Sequence, residues 1–339
     1  MNFRYFLGAN SADGFYSLYD GFCKSESDYL SVIKGGPGTG KSGFMRKIGE
    51  AAEQRGYDVE YVLCSGDPAS LDGVYIPKLH RGWMDGTSPH AAEPDFFGAD
   101  GDYIDLSRFC KTPLAPPDAE KAKELYSLYK TQYSKAYAFL RAVSAVRKAF
   151  SFAELTDKER ETAKNRALSI LPKPKHKRIE GNVKYRFLRC LGGGGETALN
   201  SEIGKICKKI YTLAGGRKSV DYALKLTARE ASERGLDTVI CLSPMEPSDY
   251  EAVLIPELGL AVTDMHYKKC QSKTIALSAD ELMTAEQIRS EKELMSSAFS
   301  CLAAAKKQHD ELEQVYKRAM DFDALTAFTE SYISSLPVN

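Results

Sequence analysis

The chain has 339 residues, 43% hydrophobic and 27% charged, with 46 Lys and Arg against 46 Asp and Glu. That composition excludes a largely disordered chain, and the balanced charge gives no overall field toward nucleic acid or an anionic membrane. At roughly 150 residues per domain the length predicts two domains. No apolar stretch approaches the roughly 20 residues that span a bilayer, and the N-terminus lacks a signal-peptide pattern. A soluble, cytoplasmic protein is expected. The eight cysteines lie far apart with no Cys-x-x-Cys pair, and the five histidines are dispersed. They read as small buried side chains of a reducing compartment rather than as a metal or redox site.

In chain order, Tyr29–Ile33 is the first clear strand, a short apolar run ending in a glycine-rich turn. Phe44, Met45, Ile48, Ala51 and Ala52 then recur at helical spacing until Gly56, and Val59–Cys64 is the next strand. The turn between them, Gly35-Gly36-Pro37-Gly38-Thr39-Gly40-Lys41-Ser42, has the phosphate-loop pattern G-x-x-x-x-G-K-[ST]. Each residue type has a reason. Glycines let successive backbone N–H groups turn toward phosphate oxygens where side chains would obstruct. The helix that follows points its positive end at the same anion. Lys41 is placed for the β- and γ-phosphates of ATP, the Ser42 hydroxyl for Mg2+, and the Gly43 N–H for the α-phosphate.

A phosphate loop needs a second, magnesium-orienting acid at the end of a neighbouring strand. Asp85 is the candidate, although His80-Arg81-Gly82-Trp83-Met84 makes a poor strand and a turn-capping role is the alternative. Gly86 follows, so a water-activating glutamate is absent there. Asp67, Asp72 and His90 are the alternatives for positioning water. Further on, Asp118 can cap a helix with the stripe Leu125, Tyr129, Tyr133, Ala136, Leu140 and Val143, read as packing. Lys173–Arg189 carries seven basic residues and one acid. It reads as a connector leading into a strand at Val183–Phe187, in preference to a nucleic-acid contact.

A shift of 179 residues lays Gly35–Asp85 on Ala214–Asp264 with 12 of 51 positions identical, so the chain reads as two copies of one β-α-β unit. Thr238–Leu242 and Leu258–Val262 are strands of the second copy, and Asp264 meets Asp85. Ser278-Ala279-Asp280-Glu281 has the form of a capping box for a helix carrying Leu282, Ile288, Met295, Phe299 and Leu302. The second phosphate loop is lost: Gly38, Gly40, Lys41 and Ser42 meet Arg217, Ser219, Val220 and Asp221. The glycine run Gly192–Gly195 reads as an ordinary loop. The expected fold is α/β, two tandem P-loop NTPase-like repeats with parallel three-layer αβα sheets and appended C-terminal helices. Residues 1–170 form the intact repeat and 171–339 the degenerate one.

Four segments, Gly14–Asp20, Lys34–Ser42, Ser70–Pro77 and Asp85-Gly86-Thr87-Ser88-Pro89-His90, resemble an uncharacterised bacterial family of tandem P-loop ATPases. The likeness covers nearly the whole chain. Family members can carry a complete phosphate loop in both halves; here only the first half does. The resemblance implies ATP binding and hydrolysis, with ATP and Mg2+ as cofactors and no assigned pathway. The expected function is an ATPase coupling nucleotide binding or hydrolysis to a conformational change between two lobes, with one nucleotide per chain. A small-molecule kinase and a non-hydrolysing nucleotide-dependent scaffold stay open. Only Arg108 and Lys111 lie between Asp85 and Asp118 as lid cations, which counts against the kinase. Arg217 and Lys218 are candidates to reach the first site from the second copy.

Overall fold

The computed structural model describes residues 2–88, 93–149, 154–173, 180–265, 272–278 and 284–336. The first repeat runs β1 (Phe3–Phe6), β2 (Gly8–Ser11), β3 (Gly14–Ser17), β4 (Tyr29–Lys34), α1 (Lys41–Gln54), β5 (Glu60–Leu63), β6 (Leu71–Ile76), β7 (Arg81–Asp85), β8 (Gly101–Asp105), α2 (Pro116–Ala149) and α3 (Asp157–Ile170). The second repeats it with β9 (Val183–Arg186), β10 (Arg189–Gly192), β11 (Gly195–Ala198), α4 (Asn200–Ile206), β12 (Lys209–Ala214), α5 (Arg217–Glu233), β13 (Thr238–Leu242), β14 (Tyr250–Ile255), β15 (Leu260–Thr263), β16 (Ser272–Ala276), α6 (Ala285–Lys317) and α7 (Phe322–Ser335).

Each repeat builds one six-stranded sheet, and the two orders match strand for strand: β1-β5-β6-β7-β4-β8 and β9-β13-β14-β15-β12-β16. The sheets are mixed, which corrects the expectation of parallel ones. β6 and β14 run antiparallel to both neighbours. The reason is connection length: residues 64–70 and 77–80 are too few for the dozen or so that a parallel crossover requires. The three-layer expectation is corrected as well. α1 covers one face of the first sheet through Phe44, Met45 and Ile48, but the other face is closed by the single turn Tyr19–Gly21 and Phe22, not by a helical layer. Among the described residues of the second repeat the seven-residue α4 stands there, also touching β1 of the first.

The weak strand at Arg81–Asp85 forms because its neighbours supply what its sequence lacks. Trp83 is fully buried, its indole Nε1 donates to the Tyr332 hydroxyl at 2.9 Å, and the Arg81 guanidinium lies 4.6 Å from the Tyr29 ring centre. The repeats meet where Phe6 and Phe187 exchange two backbone hydrogen bonds of 2.9 Å, joining the ends of β1 and β9.

The appended helices do not stay with their own repeats. α2 and α6, each about 50 Å long at 1.5 Å per residue, lie antiparallel, with Leu125 beside Leu312 and Val315 at one end and Arg147 bound to Glu291 at the other. α3 then packs on α5 of the second repeat through Ala163 and Ala167. α7 packs on α1 of the first, where Phe328 stacks on Phe44 at 5.9 Å. α6 starts with a capping box of Thr284 and Gln287. The box expected at Ser278–Glu281 lies largely outside the described residues, as do Leu282 and His90. Of the expected α6 stripe, Leu302 is buried, but Ile288 is 41% exposed. No described helix is long and apolar enough to cross a membrane.

Candidate functional site

The glycines of residues 35–40 have the conformations expected of a cradle. Gly38 and Gly40 sit at φ +72° and +89°, in the left-handed region that side chains avoid. Gly40 is also the N-cap of α1. It contributes no side-chain cap and α1 has no acid in its first turn, whereas α3 and α6 carry complete capping boxes. The first N–H groups of α1 therefore have no side-chain acceptor and face the cavity; α5 of the second repeat starts equally bare after Gly216, so what sets α1 apart is the glycine loop before it.

Lys41 is buried at the start of α1. Its Nζ donates to the Gly35 and Gly36 carbonyls at 2.9 and 2.8 Å and stands 3.6 Å from Asp85 Oδ2. Thr39 Oγ1 donates to the Gly36 carbonyl at 2.8 Å, and the Ser42 hydroxyl accepts from Leu71 N–H at 2.9 Å. Asp85 ends β7, which pairs directly with β4 in the sheet. Its Oδ1 accepts from the Thr87 N–H and hydroxyl, leaving Oδ2 toward Lys41. The sequence candidates Gly35, Gly36, Pro37, Gly38, Thr39, Gly40, Lys41, Ser42, Gly43 and Asp85 are thus brought to one place by β4, β7 and α1. Of the alternatives, Asp72 accepts from Tyr19 at 2.6 Å and Asp67 pairs with Lys306 at 3.1 Å; both line the same cavity.

That cavity, about 550 Å³, is closed by residues that sequence reasoning missed. α2 contributes Tyr126, Tyr129 and Tyr133; α6 and the start of α7 contribute Lys306, His309, Leu312, Glu313, Lys317 and Phe322. The contact is close enough that a Cβ on Gly38 would lie 2.6 Å from the Glu313 carbonyl oxygen. Lys306 is shared between Asp67 of the first repeat and Asp310 of its own helix, while Lys317 binds Glu313 at 2.7 Å. Burial holds His309 below the usual histidine range, so its imidazole is neutral near pH 7. In sequence these residues lie about 270 positions from the loop at helical spacing, indistinguishable from surface charge until the helices are placed.

Arg217 and Lys218 do not reach this site. Arg217 binds Asp249, and both residues line a separate surface pocket with Lys148 and Asp221. The second repeat keeps the frame: the Asp221 carboxylate accepts from Tyr250 N–H at 2.9 Å, as Ser42 accepts from Leu71. It lacks the loop, because where Gly38-Thr39-Gly40 stand in the first repeat, Arg217-Lys218-Ser219 wind into an extra helical turn and α5 begins at once after Gly215-Gly216. Without glycines to hold positive φ, helix is the lower-energy path for the same length of chain.

Lys41 and Ser42 at the start of α1 and Asp85 at the end of β7 therefore meet at a helix N-terminus without a side-chain cap, inside a cavity capped by the other repeat. No family model, no curated protein and no solved structure matches the chain.

Proposed function

We propose that the chain is an ATP-binding P-loop protein that uses Mg2+ to hydrolyse or transfer the terminal phosphate, with one nucleotide per chain in the first repeat. The observation that carries the reading is the loop itself: an uncapped α1, two glycines at positive φ, and Lys41 folded back onto the loop carbonyls beside Asp85. In that state the ammonium occupies part of the cradle that a triphosphate would fill, and its carbonyl bonds would be exchanged for phosphate oxygens.

The residues fit the metal as well. Ser42 Oγ and one carboxylate, Asp85, are the two protein ligands such a site needs when phosphates and water supply the rest. Bound there, Mg2+ would supply positive charge across the β- and γ-phosphates. The chain's own part is to hold the phosphates on the α1 N–H groups, to position Lys41, and to exclude water with α6. Because α6 and α7 belong to the second repeat, occupancy of the loop is coupled to the placement of those helices.

A second reading, a small-molecule kinase, gains weight from one finding. The cations missing between Asp85 and Asp118 are supplied by α6 as Lys306 and Lys317. Calorimetric titration with a non-hydrolysable ATP analogue and Mg2+ tests the common core. Lys41→Ala is expected to weaken binding at least about tenfold, since charge-assisted bonds to phosphate are worth roughly 1.5–3 kcal/mol. Parent-like affinity in that variant, or a second equivalent site, would sink the proposal.

A further inference from the structure

The cavity is larger than the phosphate cradle, and the extra room has a direction. Ser42 faces the start of β6 and Asp85 ends β7, so together they mark where the terminal phosphate of a nucleotide stops. Gly40 packs on the other side, against Leu325 and Phe322 of α7, and the nucleotide reading places the nucleoside half away from β6. In the sheet, β5 and β6 lie beyond β7, while β8 is on the opposite side of β4. Tyr133 stands on the β5–β6 side beside Gly66, and Tyr129 and Tyr126 follow it along α2 in the lining of the same cavity. A Cβ on Gly66 would lie 3.1 Å from the Tyr133 hydroxyl. On the nucleotide reading above, the Tyr133 end of this aromatic wall therefore lies on the terminal-phosphate side of the cavity.

Hydrolysis needs room there for one water, and this wall offers much more. The Tyr129 and Tyr133 rings meet edge to face at 5.0 Å, and His309 lies 5.6 Å from Tyr129. Burial pushes the Tyr129 phenol up to about 12 and Tyr133 well above the usual range, so the wall is uncharged. Lys306 and Asp67, 3.1 Å apart, line the same cavity. An uncharged stacking surface beside one cation and one carboxylate suits a flat ring that carries a hydroxyl.

We propose that the aromatic half of the cavity binds a planar heteroaromatic alcohol, a nucleoside or a molecule of similar shape, as acceptor of the terminal phosphoryl group. This rests on the nucleotide reading above and adds the co-substrate to it. The acceptor oxygen forms a bond to the γ-phosphorus, and the bond from that phosphorus to the β–γ bridging oxygen breaks. ADP leaves with the electron pair, and the acceptor proton passes to the Asp67 carboxylate and on to solvent. Lys306, released from Asp67, neutralises charge on the transferred group.

The test uses the full chain, Mg-ATP, and adenosine, guanosine, cytidine, uridine or pyridoxine as probe, with product read by mass spectrometry and ADP by a coupled assay. At least one probe is expected to be phosphorylated in step with ADP formation. Tyr129→Leu and Tyr126→Ala should each raise the KM for that probe about tenfold or more, with ATP-analogue affinity changed less than about twofold. Tyr129→Phe, which keeps the ring, should restore it. Tyr126 is 47% exposed, so its variant does not depend on refilling a core. Equal amounts of ADP and inorganic phosphate, with every probe unmodified, overturn the acceptor pocket and leave the ATPase reading standing. A matching loss of ATP-analogue affinity in the tyrosine variants places the nucleotide's own base on the wall, which also overturns it. No analogue binding by the parent chain overturns the nucleotide reading itself.

Discussion

Gly38 shows how a single position can serve the loop and the lobe contact at once. Its φ of +72° costs an L side chain about 1–2 kcal/mol, and a Cβ there would press on the Glu313 carbonyl of α6. Gly38→Ala is therefore expected to lower stability by about that amount and to weaken ATP-analogue binding more than tenfold, read by urea unfolding and calorimetry. Asp264, the counterpart of Asp85, shows what the position becomes in the repeat without the glycine-rich loop. Burial, reinforced by Glu251 and opposed by Arg189, raises its carboxyl to about 7. The unfolded chain releases that proton near pH 4 and the folded chain only near pH 7. The folded state then binds more protons in between, so this group's contribution makes stability fall as pH rises from about 4 to 7, by a few kcal/mol, with the penalty retained above. Asp264→Asn should flatten that limb in thermal melts taken from pH 5 to 8; an unchanged pH profile would remove Asp264 as its cause.

At the scale of elements, the exchange of α3 and α7 decides how the core is closed. The apolar face of α1 that binds Phe328 and Tyr332 would otherwise be exposed, and Trp83 would have no acceptor for its indole N–H. Tyr332→Phe keeps the ring and removes the acceptor. It is expected to cost about 1–3 kcal/mol in urea unfolding, the penalty for an unpaired buried donor. A cost near zero would mean that the Trp83 N–H finds another partner. The tyrosines of α2 mark the limit of reading a helix by its stripe. Ala136, Leu140 and Val143 are core as their spacing suggests, whereas Tyr129 and Tyr133 occupy the same face and line the cavity. Periodicity reports which face is covered and not by what.

For the molecule as a whole, reciprocal helix exchange makes each repeat part of the other's fold. The seat of α7 on α1 and the seat of α3 on α5 are both filled from the opposite half of the chain. Fragments 1–173 and 180–339 expressed separately should each expose these apolar seats and bind a hydrophobic dye. Co-expressed, they should purify together and unfold in one transition. Two independent, dye-silent fragments would show that the exchanged helices add little. The same connection carries the coupling in the proposed function, since Lys306 and Glu313 lie on the antiparallel α2–α6 pair that spans both repeats.

The sequence by itself determined the local chemistry and the duplication. Glycines at 38 and 40, a lysine and a serine at the start of a helix, and an apolar strand before them act within a few residues of one another, so spacing alone marks out the strand, the glycine turn and the helix start. The repeat was equally legible, since Arg55-Gly56 and Ile76-Pro77 recur at turns that local backbone geometry demands in both copies. Only the tertiary structure decided which strand direction β6 takes, that Arg217 turns to Asp249 and not to the first site, and that α6 supplies Lys306, His309 and Lys317 to a loop some 270 residues earlier. Those outcomes depend on which apolar faces find each other across the chain, a choice made by packing over long separations and invisible to residue spacing.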